Sequence, residues 1–430
     1  MSLLRIGGIR PLRETRKLER GFWNAAVPST CVVPLQQHSG SRLTPMVKQG
    51  DVVREGMVIA DGEGRFAVPV HAPIPGRVSA VGTTRLLDDT VSPAIMIELA
   101  GEFDRLGKEQ DQQDWTEFDA ETLRGLVRSA GVVTTGRFPV PLHLYLRRSS
   151  FDVSPVIVLD LAETEPYLTG DAELTATNPA EVAEGFRIAM RMLDTEDGRV
   201  VASGGNRRPF NALRAHLERT VRAHRVPHHY PVNLEHQIRR VVLPARERQD
   251  SRRQVLVITP STAFTIYEAV VAGKPQIERV IAVGGGAVVR PAHIRVRIGT
   301  SVADVLEECG GLGAEPVRII AGGPLTGSVV SNVSAPLTKT VSAVLALTER
   351  EVGAGREAPC IRCGACIRAC PVSINPVLIH DLIVAGRHAE AERAGLADCV
   401  ECGLCAHLCP ARIPLVDRIR EGKARPGEAQ

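Results

Sequence analysis

The chain has 430 residues, too long for one ordinary domain and enough for roughly two to four. Apolar residues make up 44% and charged residues 23%, which excludes a wholly disordered chain. The 52 basic and 49 acidic residues leave a net charge of only +3, and aromatics are 3%, so neither a nucleic-acid field nor a base-stacking platform is indicated. Residues 28–100 read as short β-strands, with alternation and glycine turns through residues 47–60. Residues 120–270 read as α/β. Pro155-Val156-Ile157-Val158-Leu159-Asp160 is a predicted buried strand, and 179–193 a predicted helix with Val182, Phe186, Ile188, Ala189 and Met192 at helical spacing. A second strand over 254–259 leads into a helix over 262–272, so a partly parallel sheet is expected. Residues 277–345 return to β character: strands over 278–283 and 294–300, a short helix over 301–308, and a strand over 317–321 closed by Gly322-Gly323-Pro324. That order suits a small β-grasp module. Gly284-Gly285-Gly286 has the composition of a phosphate loop, but its place after a strand makes a turn the better reading. The last residues, 421–430, are polar and expected to fray.

Ten cysteines divide sharply. Cys31 and Cys309 are isolated, and a buried structural place is expected for both. The other eight form two runs, Cys360, Cys363, Cys366, Cys370 and Cys399, Cys402, Cys405, Cys409, each reading C-x2-C-x2-C-x3-C-P with Pro371 and Pro410. This is the two-cluster ferredoxin spacing, in which three thiolates wrap one face of a cubane and the fourth ligates the other cluster. One [4Fe–4S] cluster is therefore expected on Cys360, Cys363, Cys366 and Cys409, the other on Cys399, Cys402, Cys405 and Cys370. Gly364 and Gly403 follow the second cysteine of each run, where a glycine lets backbone amides turn toward sulfide. Zinc would favour paired knuckles, and disulfides a more oxidising compartment.

Two resemblances follow from longer motifs. Val47-Lys48-Gln49-Gly50-Asp51-Val52-Val53-Arg54-Glu55-Gly56 and His71-Ala72-Pro73-Ile74-Pro75-Gly76-Arg77-Val78 resemble the biotinyl/lipoyl barrel-sandwich family. In that family a hairpin lysine carries the prosthetic group. Here the tip is Asp61-Gly62-Glu63-Gly64-Arg65-Phe66, without lysine, so a structural or docking role is expected rather than a swinging arm. Nearly end to end, the chain resembles the RnfC family, the peripheral electron-input subunits of Rnf ion-translocating oxidoreductase complexes. The resemblance is carried by Gly7-Gly8-Ile9-Arg10-Pro11, residues 33–40, His71-Ala72-Pro73, residues 163–169, 269–275 and 277–280, Arg297-Ile298-Gly299-Thr300, residues 322–327 and both cysteine runs. It implies a multidomain α/β and β fold: a barrel-sandwich hybrid (1–105), an α/β domain like the complex I flavin subunit (106–275), an SLBB β-grasp module (276–345) and a helical two-cluster ferredoxin-like domain (346–420). It also implies NADH giving a hydride to FMN, electrons leaving singly through the clusters, and membrane subunits as partners. No apolar run reaches the roughly 18 residues of a membrane span, and the N-terminus lacks a secretory signal. A peripheral place on the cytoplasmic side of the membrane is expected.

The nucleotide loops depart from the family. Its G-G-A-G-F-P-T loop corresponds to residues 129–140, where Gly136, Phe138 and Pro139 remain but Val132, Val133 and Arg137 put side chains where glycine amides would approach a phosphate. Y-P-x-G-G-E-K-Q becomes Tyr230-Pro231-Val232-Asn233-Leu234-Glu235-His236-Gln237. N-G-A-E-C-E-P-Y-I-T becomes residues 160–169, which keep Glu163 and Glu165 but replace the leading pair by Asp160-Leu161, an acid that would repel a phosphate. Glu163, Glu165, Phe138 and Gly136 are candidate FMN or NADH contacts by resemblance, and the two glutamates read equally as a solvated or helix-capping pair. His38 and His71 read as packing or hydrogen-bonding groups. The economical reading is an electron-transfer subunit of an NADH:ferredoxin-type oxidoreductase complex, relaying electrons through two clusters while FMN and NADH binding is weakened or lost. A re-tuned flavin site is the alternative, with NADH or a protein as donor. A soluble iron–sulfur reductase or adaptor of another assembly, cobalamin-reductase-like or an amino-acid-reductase partner, is the competing function.

Overall fold

The computed structural model describes residues 8–10, 18–40, 42–103, 106–107, 112–135, 139–250, 252–353 and 355–424. The N-terminal strands form two small sheets. One is antiparallel in the order Thr30–Pro34, Val91–Leu99, Gly76–Arg85, Val52–Val53; the other joins Thr44–Pro45, Val58–Asp61 and Val70–His71. Their alternating residues meet in one core, with Val33, Ile59, Ile74, Val78, Ile95 and Ile97 all fully buried. Gly76 is needed there because a Cβ would lie 2.0 Å from the Glu98 carbonyl oxygen. The hairpin tip is fastened down. His143 Nε2 donates to the Arg65 carbonyl at 3.0 Å, and His38 Nε2 to the Phe66 carbonyl at 3.1 Å. These bonds fix the backbone of a tip that carries no lysine.

The α/β region holds a four-stranded sheet, all parallel, in the order Arg222–Val226, Gly198–Ser203, Val156–Leu161, Val255–Ile258. The two central strands are buried at every residue, as expected when helices cover both faces. The helix Pro179–Met192 buries all five residues of its predicted apolar stripe. It crosses Pro260–Val270 so closely that a Cβ on Gly185 would meet the Ala263 carbonyl at 1.7 Å. The second helix begins two residues before its predicted start, because Thr259 caps it through the Thr262 amide and Pro260 occupies its first turn. Gly198–Ser203 and Arg222–Val226 escaped the sequence reading; the latter is a polar, mostly exposed edge strand with no apolar alternation. The strand order reverses between Val156–Leu161 and Val255–Ile258, so a crevice opens at their carboxyl ends.

A six-stranded mixed sheet follows, in the order Phe22–Asn24, Ala292–Arg297, Glu278–Gly284, Ala343–Leu347, Arg318–Ala321, Ser328–Val329. Its first strand comes from the N-terminal region, with Trp23 opposite Ile294. Gly284-Gly285-Gly286 is a turn: the strand ends at Gly284, Gly285 has φ +100°, and the Gly286 amide donates to Glu351. Cys31 and Cys309 are fully buried, as expected. Short helices, Ala365–Ala369, Pro376–Val384, His388–Arg393, Leu404–His407 and Leu415–Ala424, frame the cysteine runs, of which Cys366 and Cys405 lie within a helix. No helix among the described residues is long and apolar enough to cross a membrane.

Candidate functional site

A cleft of about 740 Å³ lies at the carboxyl ends of the parallel strands. Asp160, Glu163 and Thr259 line it from those strand ends, Arg279 and the Gly322–Thr326 loop from the mixed sheet, and Val400, Glu401 and Cys402 from the second cysteine run. Three separated regions of sequence thus share one wall.

Much of its hydrogen-bonding capacity is satisfied from within. Glu163 Oε1 accepts from the amides of Thr164 and Glu165, each at 2.6 Å, and Oε2 from Asn233 Nδ2 at 3.2 Å. Glu165 reaches across to the mixed sheet, accepting from the Leu325 amide at 2.7 Å, the Thr326 amide at 3.0 Å and the Thr326 hydroxyl at 2.6 Å. Asp160 Oδ1 accepts from the Ala162 amide at 2.7 Å. At the N-terminus of Pro260–Val270, the Thr259 hydroxyl takes the Thr262 amide at 3.2 Å and Asp171 takes the Ser261 hydroxyl. Arg279 turns one guanidinium nitrogen onto the Lys339 carbonyl at 2.5 Å. Burial pushes Asp160 up to about 7 and Glu163 up to about 8, and raises Glu165 despite its three donors. Gly136 and Phe138 lie outside the described residues. Asp171, Thr259 and Arg279 were not singled out from sequence; Arg279 sat unremarked inside the matched run 277–280.

Behind the cleft, Lys339 is buried where three regions meet. Its Nζ donates to the Gly131 carbonyl at 2.7 Å and reaches the Pro69 carbonyl at 3.5 Å; its amide donates to Gln37 at 2.9 Å. Burial without a carboxylate among these partners pushes the ammonium down to about 7. The unfolded chain keeps that proton to the ordinary lysine value of 10.5, so between pH 7 and 10.5 folding releases it and stability rises with pH. Asp160 and Glu163 act in the opposite sense: the fold keeps protons that the unfolded chain loses near 3.8 and 4.5, so stability falls from there up to pH 7–8. Lys339→Met is expected to remove a rise of up to about 1.4 kcal/mol per pH unit above neutrality. Urea-unfolding midpoints of wild type and variant from pH 7 to 10 check this; parallel curves would refute it.

Four of the cysteines share one cavity, and three more lie near one another. Cys370, Cys399, Cys402 and Cys405 line a single small cavity. Burial, the largest cause, raises Cys402 and Cys405 to about 12, with neighbouring thiols adding to it: Cys399 and Cys370 act on Cys402, and Cys399, Cys402 and, least, Cys366 of the first run on Cys405. Cys366 is raised by burial and then by Cys409 and Cys363. Cys370 therefore lies among the second run and Cys409 beside the first. All eight are soft thiol donors, suited to iron–sulfur chemistry. The two runs share backbone geometry. Arg362 and Glu401 both have positive φ, 56° and 54°, and each donates its amide to the sulfur two residues earlier at 3.4 Å. The second run is tied to the cleft by the Tyr230 hydroxyl, which donates to the Cys402 carbonyl at 2.7 Å.

Barrel, parallel α/β sheet, β-grasp sheet and twin cysteine runs together define a multidomain iron–sulfur protein with a flavoprotein-type α/β domain. Family models agree in the same order: the RnfC barrel sandwich hybrid domain over residues 6–102, the Nuo51 FMN-binding domain over 127–268, the SLBB domain over 280–328 and the 4Fe–4S dicluster domain over 351–413. The chain is 35% identical over 402 residues to the C-subunit of the proton-translocating ferredoxin:NAD(+) oxidoreductase complex of Clostridium ljungdahlii, covering 92% of this chain and 88% of that one. It is 36% identical over 438 residues to the C-subunit of the ion-translocating oxidoreductase complex of Rhodobacter capsulatus, covering 99% and 83%. It belongs to the RnfC family, the C-subunits of Rnf-type ion-translocating oxidoreductase complexes. A solved NAD+-reducing [NiFe]-hydrogenase shares the fold, with a TM-score of 0.51, 15% identity, and coverage of 72% of this chain and 64% of that one.

Proposed function

We propose that this chain is the peripheral electron-transfer subunit of an Rnf-type membrane complex, on the cytoplasmic face, and that its nucleotide input has been lost. Two [4Fe–4S] clusters would be held by Cys360, Cys363, Cys366 and Cys409, and by Cys399, Cys402, Cys405 and Cys370. Each cluster, when bound, supplies a one-electron carrier. The observation that carries the reading is the crossed grouping, with Cys370 among the second run. The protein's own part is to bury one set against the cleft, hold backbone amides near sulfur through Arg362 and Glu401, and keep water from the second set.

Among the described residues the cleft offers an FMN phosphate few free donors, the buried Arg279 Nε being one left without a partner. A phosphate dianion needs free amides and cations. Among the described residues the amides of Thr164, Glu165, Leu325, Thr326 and Thr262 are taken by the chain's own side chains. Arg279 faces Asp171, and Asp160 and Glu163 would be driven still further up by a second anion. Glu163 and Glu165 accordingly serve the cleft walls, and a one-electron protein donor replaces NADH. Membership of the RnfC family favours this over a soluble reductase of another assembly.

Anaerobic purification with iron and flavin quantified together tests it, followed by NADH titration watched by electron paramagnetic resonance. The expected result is about eight irons per chain, no flavin and no reduction by NADH. Stoichiometric FMN with NADH-reducible clusters would overturn the loss of nucleotide input.

A further inference from the structure

The two cysteine runs repeat one local backbone but have opposite surroundings. In the second run Glu401 is buried, and its carboxylate meets Arg420 at 3.3 Å and Lys423 at 3.1 Å. Around it the chain covers itself: a Cβ on Gly403 would lie 2.4 Å from the Leu325 carbonyl, and Tyr230 reaches Cys402. In the first run the same place is held by Arg362, at the same positive φ, and it is exposed. No ion pair or side-chain hydrogen bond is found for it among the described residues. Ile361, the counterpart of Val400, is 67% exposed, against 36% for Val400. Ile367 is 42% exposed, and Cys360, Cys363, Arg356 and Arg368 stand in the same open stretch. Glu357 is the only acid among residues 355–369.

We infer that this open rim of the first run is a docking face for a redox protein that presents carboxylates around its own centre. The inference rests on the cluster reading above. Inside the chain, the rim of the second run is completed by apolar cover and by an acid–base pairing. The first run offers the same geometry with a cation in the acid's place and two isoleucines uncovered. Its missing complement is therefore an acidic face with an apolar centre. An arginine rim draws such a partner in by electrostatic steering, and apolar contact then excludes water between the two centres. The exchange is a single electron passing from the partner's reduced iron to the oxidised cluster, with no bond formed or broken.

The test uses the full chain with clusters loaded and a reduced, acidic [2Fe–2S] ferredoxin as probe, followed by stopped flow. Wild type is expected to react with a second-order rate that falls about tenfold between low and physiological salt. Arg356→Glu and Arg362→Glu are each expected to slow it several-fold at low salt and to flatten the salt dependence, and Ile361→Ser to slow it without changing the salt slope. Arg246→Glu, on an exposed arginine outside both cysteine runs, is the control. Arg356 lies outside the cysteine spacing, so its variant answers the question even if Arg362→Glu disturbs the cluster. Full iron with rates equal in wild type and Arg356→Glu would overturn the docking face alone. Faster reaction with a basic cytochrome than with the acidic ferredoxin would overturn it too. So would variants that react normally but no longer sediment with anionic phosphatidylglycerol vesicles, since the face would then be a lipid contact. Wild type without iron would overturn the cluster reading and the docking face together.

Discussion

Replacing Cys370 with alanine is expected to remove the cluster that belongs mostly to the other run, lowering iron from about eight to about four per chain. The double variants decide the connectivity. Cys370→Ala with Cys402→Ala should keep about four irons, because both residues serve one cluster. Cys370→Ala with Cys363→Ala should keep almost none. If each run held its own cluster, the two results would be exchanged. The expectation comes from the shared cavity of Cys370, Cys399, Cys402 and Cys405 and from the proximity of Cys366 to Cys409. Exposure supplies a second readout. Cys360 and Cys363 are exposed while Cys370 and Cys405 are buried, so the cluster left in Cys370→Ala should be stripped by a chelator much faster than the one left in Cys409→Ala. Equal stripping rates would contradict the burial difference.

Glu165→Ala is expected to cost about 3 kcal/mol of stability. It strands two backbone amides and a hydroxyl on the 322–327 loop, 160 residues away in sequence. Glu165→Gln keeps one carbonyl oxygen for the two amides and should lose less than half as much. Gly323→Ala attacks the same contact from the other side, since its Cβ would lie 2.0 Å from Glu165 Oε1. The two changes should therefore be markedly less than additive in urea unfolding, and both should expose the loop to protease. Full additivity would show that the contact does not hold the two regions together.

The predicted strands and helices of the α/β region lie close to their expected places because their apolar periodicity is strong. The residues 179–193 are an example: a stripe of Val182, Phe186, Ile188, Ala189 and Met192 has no place to go but a core. The edge strand Arg222–Val226 was illegible because only Val226 of its five residues is buried, too little for an apolar pattern. The strand Phe22–Asn24 was illegible for a different reason: three residues carry no periodicity, and their partner Ala292–Arg297 is far along the chain. The departures of the nucleotide loops were visible as lost glycines. That the cleft's donors are taken by Glu163, Glu165 and Thr259 was not, since an acid pair in a sequence reads equally as solvated.

What the amino-acid order determined by itself was whatever chemistry writes locally. Two C-x2-C-x2-C-x3-C-P runs carry the iron–sulfur character, alternation and glycine turns carry the barrel, and the order of these blocks carries the family. What only the tertiary structure decided was what meets across long separations. It set Glu165 against Leu325 and Thr326, buried the Lys339 ammonium against the carbonyls of Pro69 and Gly131, and covered the second cysteine run while leaving the first open. Spacing acts within a few bonds. Burial and charge pairing are properties of surfaces that come together only when the chain has folded.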